Sequence, residues 1–351
     1  MTGGFSPIAK SKPVRVCDMD QMRRPTPDDV IAAAARLKGI VVKTPLVRSD
    51  ELDRLTGAKV FVKLENLQHT GAFKYRGAYN TLSQLDRVEF SDGVIAYSTG
   101  NHGHAVSAIG KLLGIPVTVV VPSDAPANKI EKARLNGARI VLFDRTTEVR
   151  EEVAARLASQ GRYAVVPPGD HVDVIAGQGS VALEAFDDLG AEVIDAFVVS
   201  AGGGSLAAGT CLATQAVGSN ASVWAAEPDA FDDTRKSLLS GVREKNSLAA
   251  TSICDALMTL MPAELPFSIN QTGLAGVLTA TDAEVRAAMR FAFENFRVVL
   301  EPAAVVGLAA LLSGRESRFV GKTVVVFATG GNVDAALYAD VISGRDFDAV
   351  V

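Results

Sequence analysis

Cysteine is scarce. The three present in 351 residues, Cys17, Cys211 and Cys254, form no CxxC and keep no Cys/His ligand spacing. That argues against a disulfide framework and a structural zinc site, and makes a reducing cytoplasm the expected compartment. No apolar run reaches the length needed to cross a bilayer. The first two dozen residues carry bases and two aspartates but no signal-peptide apolar core, so residues 1–25 read as a loosely ordered arm, with targeting or subunit contact as the alternative. A dominant charge is missing too. The formal net charge is −5 with acids and bases interspersed, so no nucleic-acid footprint is visible and a small-molecule substrate is expected. Neither an internal repeat nor a low-complexity tract interrupts the chain. The composition, 48% hydrophobic and 21% charged, suits a large core in two domains, or in one domain with an insertion.

The chain does have a rhythm. Thr26, Pro27 and Asp29 supply a hydroxyl cap, a first-turn proline and an acid near the positive end of a helix through VIAAAARLK that stops at Gly39. KVFVKLE (59–65) reads as a strand leading into HTGAFKYRGA. From about residue 94, strand, glycine turn and helix alternate: GVIAYS, TGNHG, then Ala105, Val106, Ile109, Leu112 and Leu113 on one helix face. PVTVVVP, a helix from Asn128 to Asn136, RIVLF and a helix carrying Val149, Val153 and Leu157 follow. A second series holds DAFVVS (195–200), AGGGSLAAGT, SVWAAE, a capping box at Thr281 and Glu284, and TVVVFATGGN (323–332). This alternation predicts an α/β protein of two open, twisted parallel-sheet domains, the smaller inserted in the larger. The large domain takes 26–65 and 166–351, the small one 66–165, and strand C-terminal loops converge on a cleft between them.

Three of the turns can bind ligands. In AGGGSLAAG (201–209), Gly202, Gly203 and Gly204 follow a strand and open a helix, so backbone N–H groups and the helix dipole favour a phosphate. A tight turn with nothing bound is the alternative. Gly202, Gly204 and Ala207 also fit G-x-G-x-x-[G/A], with Glu227 about 25 residues on, which keeps a nicotinamide dehydrogenase as a rival. STGNHG (98–103) offers Ser98, Thr99, Asn101 and successive amides to a carboxylate, or else is an ordinary helix cap. His102 and His104 read as helix-start residues rather than catalytic ones. In ATGGN (328–332), Thr329 ends a buried strand with a hydroxyl able to pair with a ring nitrogen.

Lys74 discriminates. An amine hemmed by Gly71, Ala72, Phe73, Gly77 and Ala78 is desolvated, which lowers its pKa and makes it a better nucleophile at neutral pH. A dehydrogenase has no use for such a lysine. A pyridoxal phosphate enzyme needs a lysine for the aldehyde, a glycine nest for the phosphate and a partner for the pyridine nitrogen. Lys74, Gly202–Ser205 and Thr329 supply one each.

KLENLQHTGAFKYRGA, STGNHGHAV, VIAGQGSVALE, AGGGSLAAG, EPAAVVGLAAL and TGGNVD together resemble the signatures of the fold type II (β-family) pyridoxal phosphate enzymes, in the serine/threonine dehydratase and serine racemase branch. The likeness runs in family order over about residues 28–345. It implies a fold like the tryptophan synthase β-subunit and pyridoxal 5'-phosphate as cofactor. It also implies that Lys74 carries the cofactor as an imine and later removes the Cα proton, with Phe73 at the ring and Asn101 on its phenolic oxygen. Gly202, Gly203, Gly204, Ser205 and Leu206 would hold the phosphate. Thr329 would face the pyridine nitrogen where relatives carry Ser or Cys; a neutral hydroxyl leaves that nitrogen largely unprotonated and favours prompt loss of a β-leaving group. Ser98, Thr99, Gly100, Asn101 and His102 would orient the substrate carboxylate.

The same likeness implies a divalent cation, Mg2+ or Ca2+, in EPDAFDD (227–233), held by Glu227, Asp233 and the carbonyl of Phe231. A solvated acidic turn is the alternative. The expected reaction is β-elimination from a β-hydroxy-α-amino acid, threonine or serine first and 3-hydroxyaspartate as an alternative, giving a 2-oxo acid and ammonia. A racemase is the other reading, with Thr99 as the second acid/base where related racemases carry serine. Two departures bear on substrate preference: Ala72 replaces a commoner serine, and CDALM (254–258) puts Ala256 where a glycine often lies. A cytoplasmic homodimer without a regulatory extension, and without nucleic-acid or membrane partners, completes the expectation.

Overall fold

The computed structural model describes residues 23–98, 100–125 and 127–344. The expected arm up to residue 22, Cys17 and Thr99 lie outside them.

The described chain has ten strands. β1 (Leu46–Arg48) and β2 (Lys59–Leu64) come first, then β3 (Gly93–Tyr97), β4 (Val117–Pro122), β5 (Arg139–Phe143) and β6 (Tyr163–Val165). β7 (Ala196–Ser200), β8 (Ser222–Pro228), β9 (Leu274–Ala280) and β10 (Thr323–Ala328) follow. They form two sheets, one of six strands in the order β1-β2-β10-β7-β8-β9 and one of four in the order β5-β4-β3-β6. All pairings are parallel except β1 with β2. The larger sheet is therefore mixed rather than purely parallel. Its antiparallel edge is three residues of LVR, too short to show any period in the sequence.

Burial explains the strand compositions. AFVVS in β7 is buried throughout, and so is all of TVVVFA in β10 after its first residue. A strand covered on both faces needs an unbroken apolar run, the signature of a parallel sheet under helices. The capping boxes form as expected: Thr26 accepts from the Asp29 N–H while Asp29 accepts from Thr26, and Thr281 and Glu284 do the same.

One long helix, Val172–Leu189, aligns the parts that matter. A Cβ on Gly177 would lie 2.7 Å from the Cα of Gly77 in the helix Lys74–Leu82. On its other side, a Cβ on Gly179 would lie 2.6 Å from the carbonyl oxygen of Gly209 in the helix Ser205–Ala216. Only glycine permits backbones this close. The helix after the lysine motif and the helix after the glycine turn thus pack on one shared axis, which is the physical content of VIAGQGSVALE.

Sheet order then sets the site. β2, β10 and β7 are parallel neighbours, so their C-terminal ends open on the same edge. Those ends lead into the lysine motif, Thr329 and the glycine turn. In the smaller sheet the chain leaves β3 toward β4 on one side and returns as β6 on the other, so Ser98, Gly100 and Asn101 sit at a strand-order switch point, where open α/β sheets bind ligands.

Candidate active site

The lysine motif is laced to the loop after β10. Ala72 forms a bridge with Gly330, and the Phe73 N–H donates to the Thr329 carbonyl at 3.1 Å. Lys74 then opens the helix Lys74–Leu82. Its Nζ donates to the Pro168 carbonyl at 2.6 Å and lies 4.9 Å from the centre of the Phe73 ring. The residue is half-buried, but its ammonium end is shut away from water, and that desolvation lowers its pKa to about 8. The amine is prepared as the small and aromatic neighbours in the sequence predicted.

Two residues on, Arg76 anchors the helix. It is fully buried and makes paired contacts to Glu65 (2.8 and 2.7 Å) and to Glu184 (2.6 and 2.8 Å). Glu65 also accepts from Thr44 at 2.6 Å, and Lys63 bridges Glu184 and Asp188. This network joins β2 to the helix Val172–Leu189 beneath Lys74.

The glycine turn has the form expected of an anion nest. Gly204 caps the helix Ser205–Ala216 at φ +90°, and the first N–H groups of any helix lack intrahelical partners. Ser205 and Leu206 are buried, and Thr329 is buried beside the lysine motif. A Cβ on Gly203 would meet only Ala263, at 3.8 Å, and one on Gly100 would meet nothing. Gly202 by contrast is packed against Leu257 and Thr259. Room for a ligand therefore exists beside both loops.

Asn101 begins the helix Asn101–Leu113, with Gly100 as its cap and the Ser98 hydroxyl accepting from the Gly100 N–H at 3.3 Å. The Asn101 side chain donates to Glu301 at 2.6 Å and accepts from Asn332 at 2.8 Å. His102 is buried. Its Nε2 lies 2.9 Å from the Val166 carbonyl and so carries the proton, which leaves Nδ1 as an acceptor with no protein partner among the described residues. Burial, with the nearby Lys74 charge, lowers its pKa to about 3. A neutral ring fixed in this way holds the Val166–Pro168 segment, whose last carbonyl receives Lys74.

The acidic stretch is not a solvated turn. Glu227 and Asp233 are both fully buried, and Phe231 is buried between them in sequence. Glu227 accepts from the Thr234 and Arg235 N–H groups at 2.9 and 3.0 Å, closing the first turn of the helix Asp233–Ser240. Asp233 accepts from Asn246 at 2.6 Å. Desolvation, then the charge of Asp233, pushes Glu227 up to about 8, and desolvation pushes Asp233 up to about 6. Fully buried beneath that turn, Glu227 has no face open to a ribose, which removes the support it lent to the dinucleotide reading.

Several groups at the site escape sequence reasoning: Pro168 as the lysine's acceptor, and Glu301 and Asn332 around Asn101. For Glu301 and Asn332 the signal is their presence in the runs EPAAVVGLAAL and TGGNVD, which name no role, and Pro168 lies in no such run.

Comparison with known proteins agrees with this geometry. The family model described as "Pyridoxal-phosphate dependent enzyme" matches residues 37–330. An L-threo-3-hydroxyaspartate ammonia-lyase of a Pseudomonas species is 41% identical, over 90% of this chain and 98% of the relative. The protein of that name in Saccharomyces cerevisiae is 40% identical over 92% and 98%. The crystal structure of serine racemase from Dictyostelium discoideum superposes with a TM-score of 0.81 at 36% identity, covering 88% of this chain and 99% of the other. A desolvated lysine, an open glycine nest and a buried hydroxyl are the groups this cofactor requires. The chain belongs to the pyridoxal-phosphate dependent enzymes of fold type II, in the branch of the serine racemases and hydroxy-amino-acid ammonia-lyases.

Proposed function

We propose that this protein eliminates water from a β-hydroxy-α-amino acid, the enamine so released then taking up water to give a 2-oxo acid and ammonia, with 3-hydroxyaspartate ahead of threonine and serine. The observation that carries the reaction is Lys74, an amine with pKa about 8 held at 2.6 Å by a carbonyl and placed beside an uncharged Thr329. The substrate order reverses that expected from the family resemblance. It rests on the two relatives near 40% identity that act, by name, on L-threo-3-hydroxyaspartate.

Pyridoxal phosphate supplies, when bound, an aldehyde for an amine and a ring that withdraws electrons from Cα. The amides of Gly202, Gly203, Gly204, Ser205 and Leu206 would hold its phosphate, with the helix dipole adding attraction. Asn101 would donate to its phenolic oxygen, Phe73 would flank the ring, and Thr329 would meet the pyridine nitrogen with a neutral hydroxyl. Lys74 acts as the base: near pH 8 about half of its amine is free to accept the Cα proton. Ser98, Thr99, Gly100, Asn101 and His102 would grip the substrate carboxylate and so direct the C–H bond toward that amine.

The proposal includes Mg2+ or Ca2+ at Glu227, Asp233 and the Phe231 carbonyl. Two buried carboxylates with raised pKa values are the environment that a hard cation relieves, and the oxygen donors suit it. It also includes a homodimer in the cytoplasm, and a division into residues 26–65 with 166–351 against an inserted 66–165. All four strands of the smaller sheet lie between residues 93 and 165, which supports that division. Among the described residues no helix is long and apolar enough to cross a membrane.

The test is a panel of β-hydroxy amino acids of both configurations, scored for ammonia and 2-oxo acid with and without Mg2+. 3-Hydroxyaspartate should turn over fastest; ammonia release from none of the panel refutes the proposal. A second reading, racemisation, is favoured by the likeness to serine racemase, and would use Thr99 opposite Lys74. Turnover of single enantiomers in heavy water separates the two, since deuterium at Cα of the opposite enantiomer reports racemisation.

A further inference from the structure

We infer that Lys132, Asn332 and Glu301 form a directed hydrogen-bond chain that sets the orientation of the Asn101 amide. They are thereby positioning residues for the phenolic oxygen of the cofactor, an inference that rests on the cofactor reading above. The links are explicit. Lys132 Nζ donates to Asn332 Oδ1 at 2.9 Å, Asn332 Nδ2 to Asn101 Oδ1 at 2.8 Å, and Asn101 Nδ2 to Glu301 Oε1 at 2.6 Å. Asn332 Nδ2 also donates to the Thr70 carbonyl at 2.8 Å.

The polarity of this chain is forced from its ends. A lysine ammonium can only donate and a carboxylate only accept. Asn332 must turn its oxygen to Lys132 and its nitrogen to Thr70 and Asn101. Asn101 must then turn its oxygen to Asn332 and its nitrogen to Glu301. A flipped Asn101 amide would set N–H against N–H on one side and carbonyl against carboxylate on the other. Asn332 spends both amide hydrogens on Thr70 and Asn101. Asn101 spends one on Glu301, and the second remains for a ligand at the helix start, beside the open space at Gly100.

The chain also crosses between the sheets at every link. Lys132 lies on the helix Ala127–Leu135 between β4 and β5, and Asn332 lies in the loop after β10. Asn101 follows β3, and Glu301 is tied back to the β10 loop, its N–H donating to the Gly330 carbonyl at 3.1 Å. Orientation of the donor is therefore coupled to the approach of the two sheets, and a charge of opposite sign at each end polarises the links between.

The experiment compares the loaded wild type with Asn332→Asp, Glu301→Ala, Glu301→Gln and Lys132→Met, reading the visible absorption of the bound cofactor against pH. Loading is verified by borohydride reduction and mass spectrometry of the Lys74 peptide. A donated hydrogen bond stabilises the deprotonated phenolic oxygen, so its loss should raise the band's titration midpoint. Asn332→Asp removes both donors and Glu301→Ala removes the terminal acceptor; each should move the midpoint up by about one pH unit, the equivalent of one such bond. Lys132→Met should move it in the same direction by less, and Glu301→Gln, which keeps an acceptor oxygen, should restore a profile near wild type. Spectra and midpoints unchanged in all four loaded variants overturn the inference, as does equal damage from Glu301→Gln and Glu301→Ala. A wild type with no adduct on Lys74 overturns the cofactor reading itself and is told apart by that control.

Discussion

Arg76→Met is the sharpest test of how the sequence holds Lys74 in place. Methionine fills much of the arginine's volume but removes a guanidinium that is 0% exposed and makes two paired carboxylate contacts. Glu65, also 0% exposed, would keep only its bond from Thr44 among these partners. Breaking one side of a buried ion pair costs about 3–5 kcal/mol, because an uncompensated charge stays behind. Glu184 is 18% exposed along its side chain and retains Lys63, so it adds little to that penalty. An unfolding entropy of about 2.1 cal/mol/K per residue gives about 0.7 kcal/mol/K for 351 residues. The expected drop in Tm is therefore about 4–7 °C, read by calorimetry and chemical denaturation. Glu65→Gln on the Arg76→Met background should recover part of the loss by removing the stranded charge. A single variant within about 0.5 kcal/mol of wild type, the range of ordinary surface substitutions, would refute the claim that this network anchors the lysine helix.

Other outcomes follow from the same structure. Gly204→Ala puts a Cβ 2.6 Å from Asn270 Nδ2 at φ +90°, which should cost about 1–3 kcal/mol of stability and weaken cofactor binding at least about tenfold, measured by titration of the apoprotein; unchanged affinity would contradict a phosphate at this turn. Glu227 and Asp233 have folded pKa values near 8 and 6, above their unfolded values, so without metal their contribution is fully present at low pH and is lost as pH rises through about 4 to 8. Mg2+ or Ca2+ at this pair should therefore raise Tm more at pH 8 than at pH 5, and a Tm indifferent to both ions and to chelator would contradict the cation site.

Much of the fold was written in local pattern. β7 and β10 carry continuous apolar runs because both of their faces are covered, and Thr26 and Thr281 cap their helices through bonds within four residues. The desolvation of Lys74 was legible for the same reason, since Ala72, Phe73, Gly77 and Ala78 are its sequence neighbours. β1 and β6 were not legible, each being three residues long, and β9 carries Gly276 at φ +159° within a half-exposed run. Nor were the partners that hold the site. Pro168 lies 94 residues from Lys74, Glu301 200 from Asn101, and Asn332 231 from Asn101. Such contacts exist only after the two sheets meet. Glu227 shows the opposite failure: the glycine fingerprint offered it a ribose, and tertiary structure buried it against the first turn of a helix.

The central claim is tested most directly on Lys74. Apoprotein is mixed with pyridoxal phosphate across pH 6–10, reduced with borohydride and mapped by mass spectrometry. The adduct should fall on Lys74, form with a rate that rises through about pH 8 as the amine loses its proton, and vanish in Lys74→Ala. A polypeptide that stays colourless, or carries the label on surface lysines with Lys74 untouched, contradicts the account.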